Sequence, residues 1–181
     1  RIMLTTKTLN TFLSDTITNT KINENINYSG ISITNFMNVE NIFIVLPAYN
    51  EEDSLPNLLN RIVDFSTNKD SRIRVVVVND GSTDNSDQIM KDFLKEKIHL
   101  VNSGKIIYIY QENTGKGGAL NKGLEYVTGE IVMTVDADSL LEKGSIKNLT
   151  RYYLDEEIMA AVGNVQVLNR KTLIGVAQYL E

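Results

Sequence analysis

Asp136 and Asp138, in the stretch VDADS, define the plainest chemistry in the chain. In an extended segment alternate side chains share a face, so the two carboxylates are expected side by side, with Cα atoms ~7 Å apart. Paired oxygens suit a hard divalent cation, Mg²⁺ or Mn²⁺, which combines one or two carboxylates with phosphate oxygens and water. Phosphate binding is suggested by ENTGKGGALNKG (112–123), where glycines at 115, 117 and 118 surround Lys116 at an expected helix start. Free N–H groups and the helix dipole favour anions there. The segment is not a Walker A loop: the position five before Gly115 is Tyr110, and Gly117 follows Lys116 where Ser or Thr is needed.

Two further clusters have weaker signals. PAYNEE (47–52) offers the Tyr49 ring and the Glu51 carboxylate, both of use to a nucleoside. VVVVNDGSTDNS (75–86) ends in Asp80 and Asp84, with Gly81 easing a tight turn. It is not an EF-hand, because Val76 stands where the first acidic ligand belongs. Each cluster also has a structural reading: an exposed acidic turn, a glycine turn with a solvated lysine, or a strand–turn–helix that Asp84 or Ser86 merely caps. His99, between Ile98 and Leu100, lies in no motif and is read as structural or exposed. One histidine and no cysteine exclude a His-rich metal site or a Cys–His pair within the chain.

These clusters need a scaffold, and the sequence supplies alternating short β-rich runs and helical patterns from Asn41 onward, the signature of βαβ units and a mainly parallel sheet. The expected strands are 42–47, ended by Pro47, then 73–78, 105–111 and 130–138. The second, apolar on both faces, is expected to be central. A helix from about Ser54 would bury Leu55, Leu58, Leu59, Ile62 and Val63; the next would bury Ile89, Met90, Phe93 and Leu94. A third, 115–127, would turn Ala119, Leu120, Leu124 and Val127 inward. Every polar cluster then falls at the C-terminal end of a strand, where open α/β sheets bind ligands.

At 181 residues and 42% hydrophobic content, one compact domain with additional chain is expected. Residues 1–40 are Thr- and Asn-rich, lack a sustained period and carry balanced charge, so they read as a tail or linker. The net charge of -5 therefore resides in 41–181, with fifteen basic against twenty acidic residues. No basic stripe is present, which argues against nucleic-acid binding. The absence of cysteine excludes disulfides and agrees with a reducing compartment. No apolar run approaches the ~20 residues that cross a bilayer. The chain begins at Arg1 rather than Met and stops at Glu181 within an apolar, helix-like stretch, so a piece of a longer protein is expected.

PAYNEE, VVVVNDGSTDNS, ENTGKGGALNKG and VMTVDADS, in this order and spacing, resemble the family 2 glycosyltransferases, over residues 42 to about 181. Each motif is weak alone; four in sequence are strong. The resemblance implies a GT-A (Rossmann-like) fold with helices on both faces of the sheet, and a nucleotide-sugar donor, with UDP the implied nucleotide. It places the nucleoside on Pro47, Tyr49, Glu51 and Asp80, brings Lys116 to the nucleotide, and assigns the ribose and metal-bound diphosphate to Asp136 and the Mg²⁺ or Mn²⁺ to Asp136 and Asp138. AAVGNVQVLNRKTLIGVAQYLE (160–181) and DADS look like the processive synthases of hyaluronan, chitin, cellulose and poly-N-acetylglucosamine. This implies a glycan or lipid-linked acceptor and action at the cytoplasmic face of a membrane, reached through segments outside this chain.

The family's catalytic base is an aspartate in a later Glu-Asp or Thr-Glu-Asp motif, and nothing after Asp138 matches it; DEE at 155–157 comes too early. Processive members carry Gln-x-x-Arg-Trp, and this chain has no Trp. Both are expected beyond Glu181, so the chain alone should bind nucleotide and transfer sugar poorly or not at all. Two other classes compete. One is a non-catalytic nucleotide-sugar-binding module. The other is a phosphotransferase with Asp136 as nucleophile, whose Asp-x-Asp normally ends the first core strand instead of the fourth.

Overall fold

A computed structural model describes residues 3–5, 41–67, 72–142, 144–155 and 157–164. The strands are β1 Met3–Thr5, β2 Ile42–Ala48, β3 Ile73–Asp80, β4 Ile106–Gln111, β5 Ile131–Thr134 and β6 Ala160–Val162. The α-helices are α1 Leu55–Thr67, α2 Ser86–Glu96, α3 Ile98–Asn102, α4 Gly115–Leu124 and α5 Ser145–Thr150, the last followed by a 3₁₀ turn, Arg151–Leu154. The sheet order is β4-β3-β2-β5-β1-β6. β4, β3, β2 and β5 run parallel, while β1 pairs antiparallel with both β5 and β6. Three residues of the expected N-terminal tail, Met3–Thr5, are thus sheet members; the remainder of that tail and residues 165–181 lie outside the described residues.

β3 forms where the β-branched run is longest, and Val75, Val76, Val77 and Val78 are at most 1% exposed because helices cover both faces. On one face Ile44, Leu46, Val75 and Val77 pack with Leu55, Leu58 and Leu59 of α1 and Met90 of α2. Val63, Ile89, Phe93 and Leu94 close that layer from its margin, as the helical spacing predicts. The side chain of Ile62 lies outside the described residues. On the other face Phe43, Val45, Val76, Val78 and Val132 meet Ala119 of α4, with Leu120, Leu124 and Val127 packed around them. A Cβ on Gly123 would collide with the Val45 side chain and stand 3.2 Å from Val78 Cγ2, so glycine lets α4 lie directly on β2 and β3.

The second expected strand runs on past 78 to Asp80 and the third expected helix stops at Leu124, while two other boundaries shift around Pro47. β2 continues through Pro47, which pairs with Val78 in register, so Pro47 does not end the strand. It ends the ladder on the other side instead. Val45 O accepts Val135 N–H at 3.1 Å, and the next bond toward β5 would need a donor at residue 47, which proline lacks. The β5 chain therefore departs after Val135, and Ser139 N–H closes a turn on Asp136 O at 2.9 Å. Asp136 and Asp138 lie on this turn, not on an extended strand end as the sequence suggested.

Candidate functional site

The C-terminal ends of the parallel strands open into a cleft of about 420 Å³. Each loop supplies part of its wall: Pro47, Tyr49 and Glu51 after β2, Asp80 at the end of β3, Lys116 at the start of α4, and Asp136 and Asp138 after β5. All seven residues singled out from the sequence are brought together here. Asn113, Gly115 and three alanines complete the lining. His99 is exposed on α3 and takes no part.

Asp80 is 3% exposed and its Oδ1 accepts from Gln111 Nε2 at 2.6 Å, Thr114 N–H at 2.9 Å and Thr114 Oγ1 at 3.3 Å. Burial alone would raise its pKa; these donors, with the Gly115 N–H, hold it below the usual carboxylate value. Asp80 is therefore an ionised acceptor, and it fixes the loop that leads into α4. Gly81 makes this approach possible. Its φ is +72°, and a Cβ there would stand 2.7 Å from Asn113 N.

The β2–α1 and β3–α2 loops are laced together. Asn50, at φ +54°, donates its N–H to Ser82 Oγ at 3.0 Å and accepts Thr83 N–H on Oδ1 at 2.8 Å. Glu51 N–H donates to Ser86 Oγ at 2.8 Å, and Glu52 N–H to Asp84 Oδ2 at 3.1 Å. Glu52 Oε2 in turn accepts Asn85 N–H at 3.0 Å. The N-cap of α2 is Asn85, not Asp84 or Ser86, and makes no side-chain cap bond. Asp84, one residue earlier, accepts Ser86 N–H on Oδ1 at 2.9 Å, which satisfies a free donor at the α2 start, while Ser86 grips Glu51. Burial opposes ionisation of Asp84, yet its pKa is lowered by these donors. The Glu51 carboxylate is oriented from its own loop by the Ser54 hydroxyl.

Across the cleft, Lys116 Nζ and Asp136 Oδ1 are 2.6 Å apart, the lysine side chain 60% and the aspartate 27% exposed. Burial works against ionisation of Asp136, but the adjoining ammonium favours it, and its pKa is lowered. Asp138 is exposed beside it. The donor set is two carboxylates, and no group of three metal-capable side chains occurs among the described residues. Such a set fits Mg²⁺ or Mn²⁺ that keeps several positions for phosphate and water, and does not fit a closed all-protein cage.

Thr114, Gln111, Asn50, Glu52 and Ser82 were not singled out from the sequence. The available signal was the density of Asn, Ser, Thr and Asp after β2 and β3, residues that bind neighbouring backbone. Which loop each would bind depends on strands β2 and β3 being adjacent.

Residues 43–178 match the family described as glycosyl transferase family 2. Among curated relatives, the glycosyltransferase GlyA of Streptococcus pneumoniae is 37% identical over 130 residues, 72% of this chain and 17% of that protein. The poly-beta-1,6-N-acetyl-D-glucosamine synthase of Staphylococcus aureus is 28% identical over 144 residues, 79% of this chain and 33% of that protein. Among solved structures, the mannosyltransferase PcManGT of Pyrobaculum calidifontis, in complex with GDP-Man and Mn²⁺, superposes with a TM-score of 0.55 at 27% identity, covering 63% of this chain and 32% of that one. S. aureus TarS 1-349 in complex with UDP-GlcNAc gives 0.50 at 27% identity, covering 62% and 30%. The chain thus spans a third or less of the curated relatives it matches. With its mainly parallel sheet, helices on both faces and GT-A fold, the chain belongs to glycosyl transferase family 2.

Proposed function

We propose that the chain is the donor-binding part of an inverting glycosyltransferase, taking a UDP-sugar with Mg²⁺ or Mn²⁺ for transfer to a glycan or lipid-linked acceptor. The observation that carries this reading is the convergence in one cleft of the Tyr49 ring, the ionised Asp80, the Lys116 ammonium and the Asp136–Asp138 carboxylates, one set from each strand exit. The similar structures solved with GDP-Man and Mn²⁺ and with UDP-GlcNAc support the donor class. Within it, Pro47, Tyr49 and Glu51 border the base and ribose, and Asp80 accepts a base N–H. Lys116 opposes charge on the diphosphate. Asp136 and Asp138 would hold the cation, which supplies Lewis-acid stabilisation of the leaving diphosphate when bound.

In the full reaction an acceptor hydroxyl oxygen bonds to the anomeric carbon as the bond to the diphosphate oxygen breaks. The hydroxyl proton passes to a base, and the nucleoside diphosphate leaves. The carboxylates lining the cleft are all assigned to the donor, so the base belongs outside this lining, and the 181-residue chain is expected to bind donor while transferring sugar poorly or not at all. We place the whole enzyme at the cytoplasmic face of a membrane through segments outside this chain; no described helix is long and apolar enough to cross one. Calorimetric titration with UDP, GDP and UDP-sugars, with and without Mn²⁺, tests the reading. Metal-dependent binding lost in Asp136→Ala and Asp138→Ala supports it; unchanged binding in both variants removes the site assignment.

A further inference from the structure

Tyr108 on β4, Asn79 near the end of β3 and Asp87 in the first turn of α2 form a polar chain beside the core, and none of them lines the cleft. Its direction is fixed from one end. Lys91 Nζ holds Asp87 Oδ2 at 2.6 Å and keeps that carboxyl below its usual pKa, so Asp87 can only accept. The Tyr108 hydroxyl therefore donates to Asp87 Oδ1 at 2.8 Å, and its oxygen is left to accept Asn79 Nδ2 at 2.9 Å. With its amide nitrogen committed, Asn79 turns Oδ1 to the Ser82 N–H at 2.8 Å. Burial and the facing Asp87 carboxylate push the Tyr108 pKa up, which keeps this donor protonated. Asn79 is 1% exposed, so losing the tyrosine oxygen would strand a buried donor.

The chain runs on into the cleft wall. Ser82 Oγ accepts the Asn50 N–H at 3.0 Å, and Asn50 sits at φ +54°, a conformation that residues other than glycine seldom hold unaided. Its neighbours on either side, Tyr49 and Glu51, line the cleft. We propose that Tyr108 is a positioning residue for nucleoside binding: acting through Asn79 and Ser82, it holds Asn50 in the conformation that presents Tyr49 and Glu51 to the donor. This rests on the donor-site reading above. The Tyr108 ring packs against the core, so phenylalanine there keeps that packing and removes only the hydroxyl. Asn50 keeps its bond from the Thr83 N–H, so the expected loss of UDP affinity is modest, on the order of several-fold, the scale of one neutral hydrogen bond.

The test compares the 181-residue protein with Tyr108→Phe, Ser82→Ala and, as a control for loss of a buried hydroxyl elsewhere, Thr150→Val. Thr150 is 3% exposed and donates to Lys147 O at 3.1 Å within α5. UDP affinity in the presence of Mn²⁺ is measured by calorimetry, and amide hydrogen exchange followed by NMR reads Asn50, Ser82 and Thr114 individually. Tyr108→Phe and Ser82→Ala are each expected to weaken UDP several-fold and to speed exchange of the Asn50 N–H. The Thr114 N–H, bonded to Asp80, should keep its wild-type rate. Thr150→Val should leave UDP affinity and all three amides unchanged. If wild type binds UDP but Tyr108→Phe loses no more affinity than Thr150→Val, or loses it while Asn50 and Ser82 exchange at the wild-type rate, the positioning role is overturned and the donor site stands. Should Tyr108→Phe not fold, Ser82→Ala decides, and wild-type UDP affinity in that variant overturns the proposal. If wild type binds no UDP, the donor-site reading itself fails, and the proposal with it.

Discussion

Asp80 places one carboxylate oxygen against donors from Gln111 and Thr114, and it does so almost wholly out of solvent. Removing it leaves the Thr114 N–H without that acceptor and frees the entry to α4. Asp80→Ala is expected to lower stability by about 2 kcal/mol, the usual cost of a lost charge-assisted bond with a stranded partner, and to weaken nucleotide binding; urea denaturation and calorimetry check the two effects. The folded pKa values of Asp80 and Asp84 both lie below the ordinary 3.8. Carboxylates of this kind add stability that is fully present above the unfolded pKa and is lost as pH falls through the folded one. Their contribution should therefore be constant from neutral pH to about 5 and drain away at lower pH, chiefly below 3.8. Denaturation midpoints between pH 7 and pH 3 should show this fall, and Asp84→Asn should make it shallower. A fall equally steep in Asp84→Asn would mean that the Asp84 bonds to Ser86 and Glu52 contribute nothing to it.

Among the elements, α4 links packing to the site, because its first turn carries Lys116 and its last turn carries Gly123 against the sheet. Gly123→Ala must push the helix off Val45 and Val78. An overpacked contact of this sort costs about 1–3 kcal/mol, and displacement of Lys116 should also reduce UDP affinity. Equal thermal midpoints for variant and wild type would show that α4 does not rest on β2 and β3 as described. The strand exits were legible in the sequence because periodicity and β-branched runs report local structure directly, as in IRVVVV and the α1 leucines. The turn at Asp136–Ser139 was not legible from VDADS alone. It follows from Pro47, on the neighbouring strand and far away in sequence, lacking the N–H that would extend the β2–β5 ladder. The Asn50–Ser82 and Glu51–Ser86 bonds were hidden for the same reason, since they depend on which strands become neighbours.

For the molecule as a whole, an acidic chain of net charge -5 gathers a nucleotide-compatible cleft on one edge of its sheet. Bulk charge would repel a diphosphate, so under the proposed function Lys116 and the cation held by Asp136 and Asp138 would have to supply attraction locally. The four sequence motifs were legible as one site because a parallel sheet delivers all its C-terminal ends to the same edge. Their partners and the Lys116–Asp136 pair were visible only once the sheet order was known. The most direct test of the central claim is UDP titration of this chain with and without Mn²⁺, repeated in Asp136→Ala. Binding that requires Mn²⁺ and disappears in the variant is expected. UDP binding of equal strength in both proteins, or no nucleotide binding under either condition, would contradict that claim.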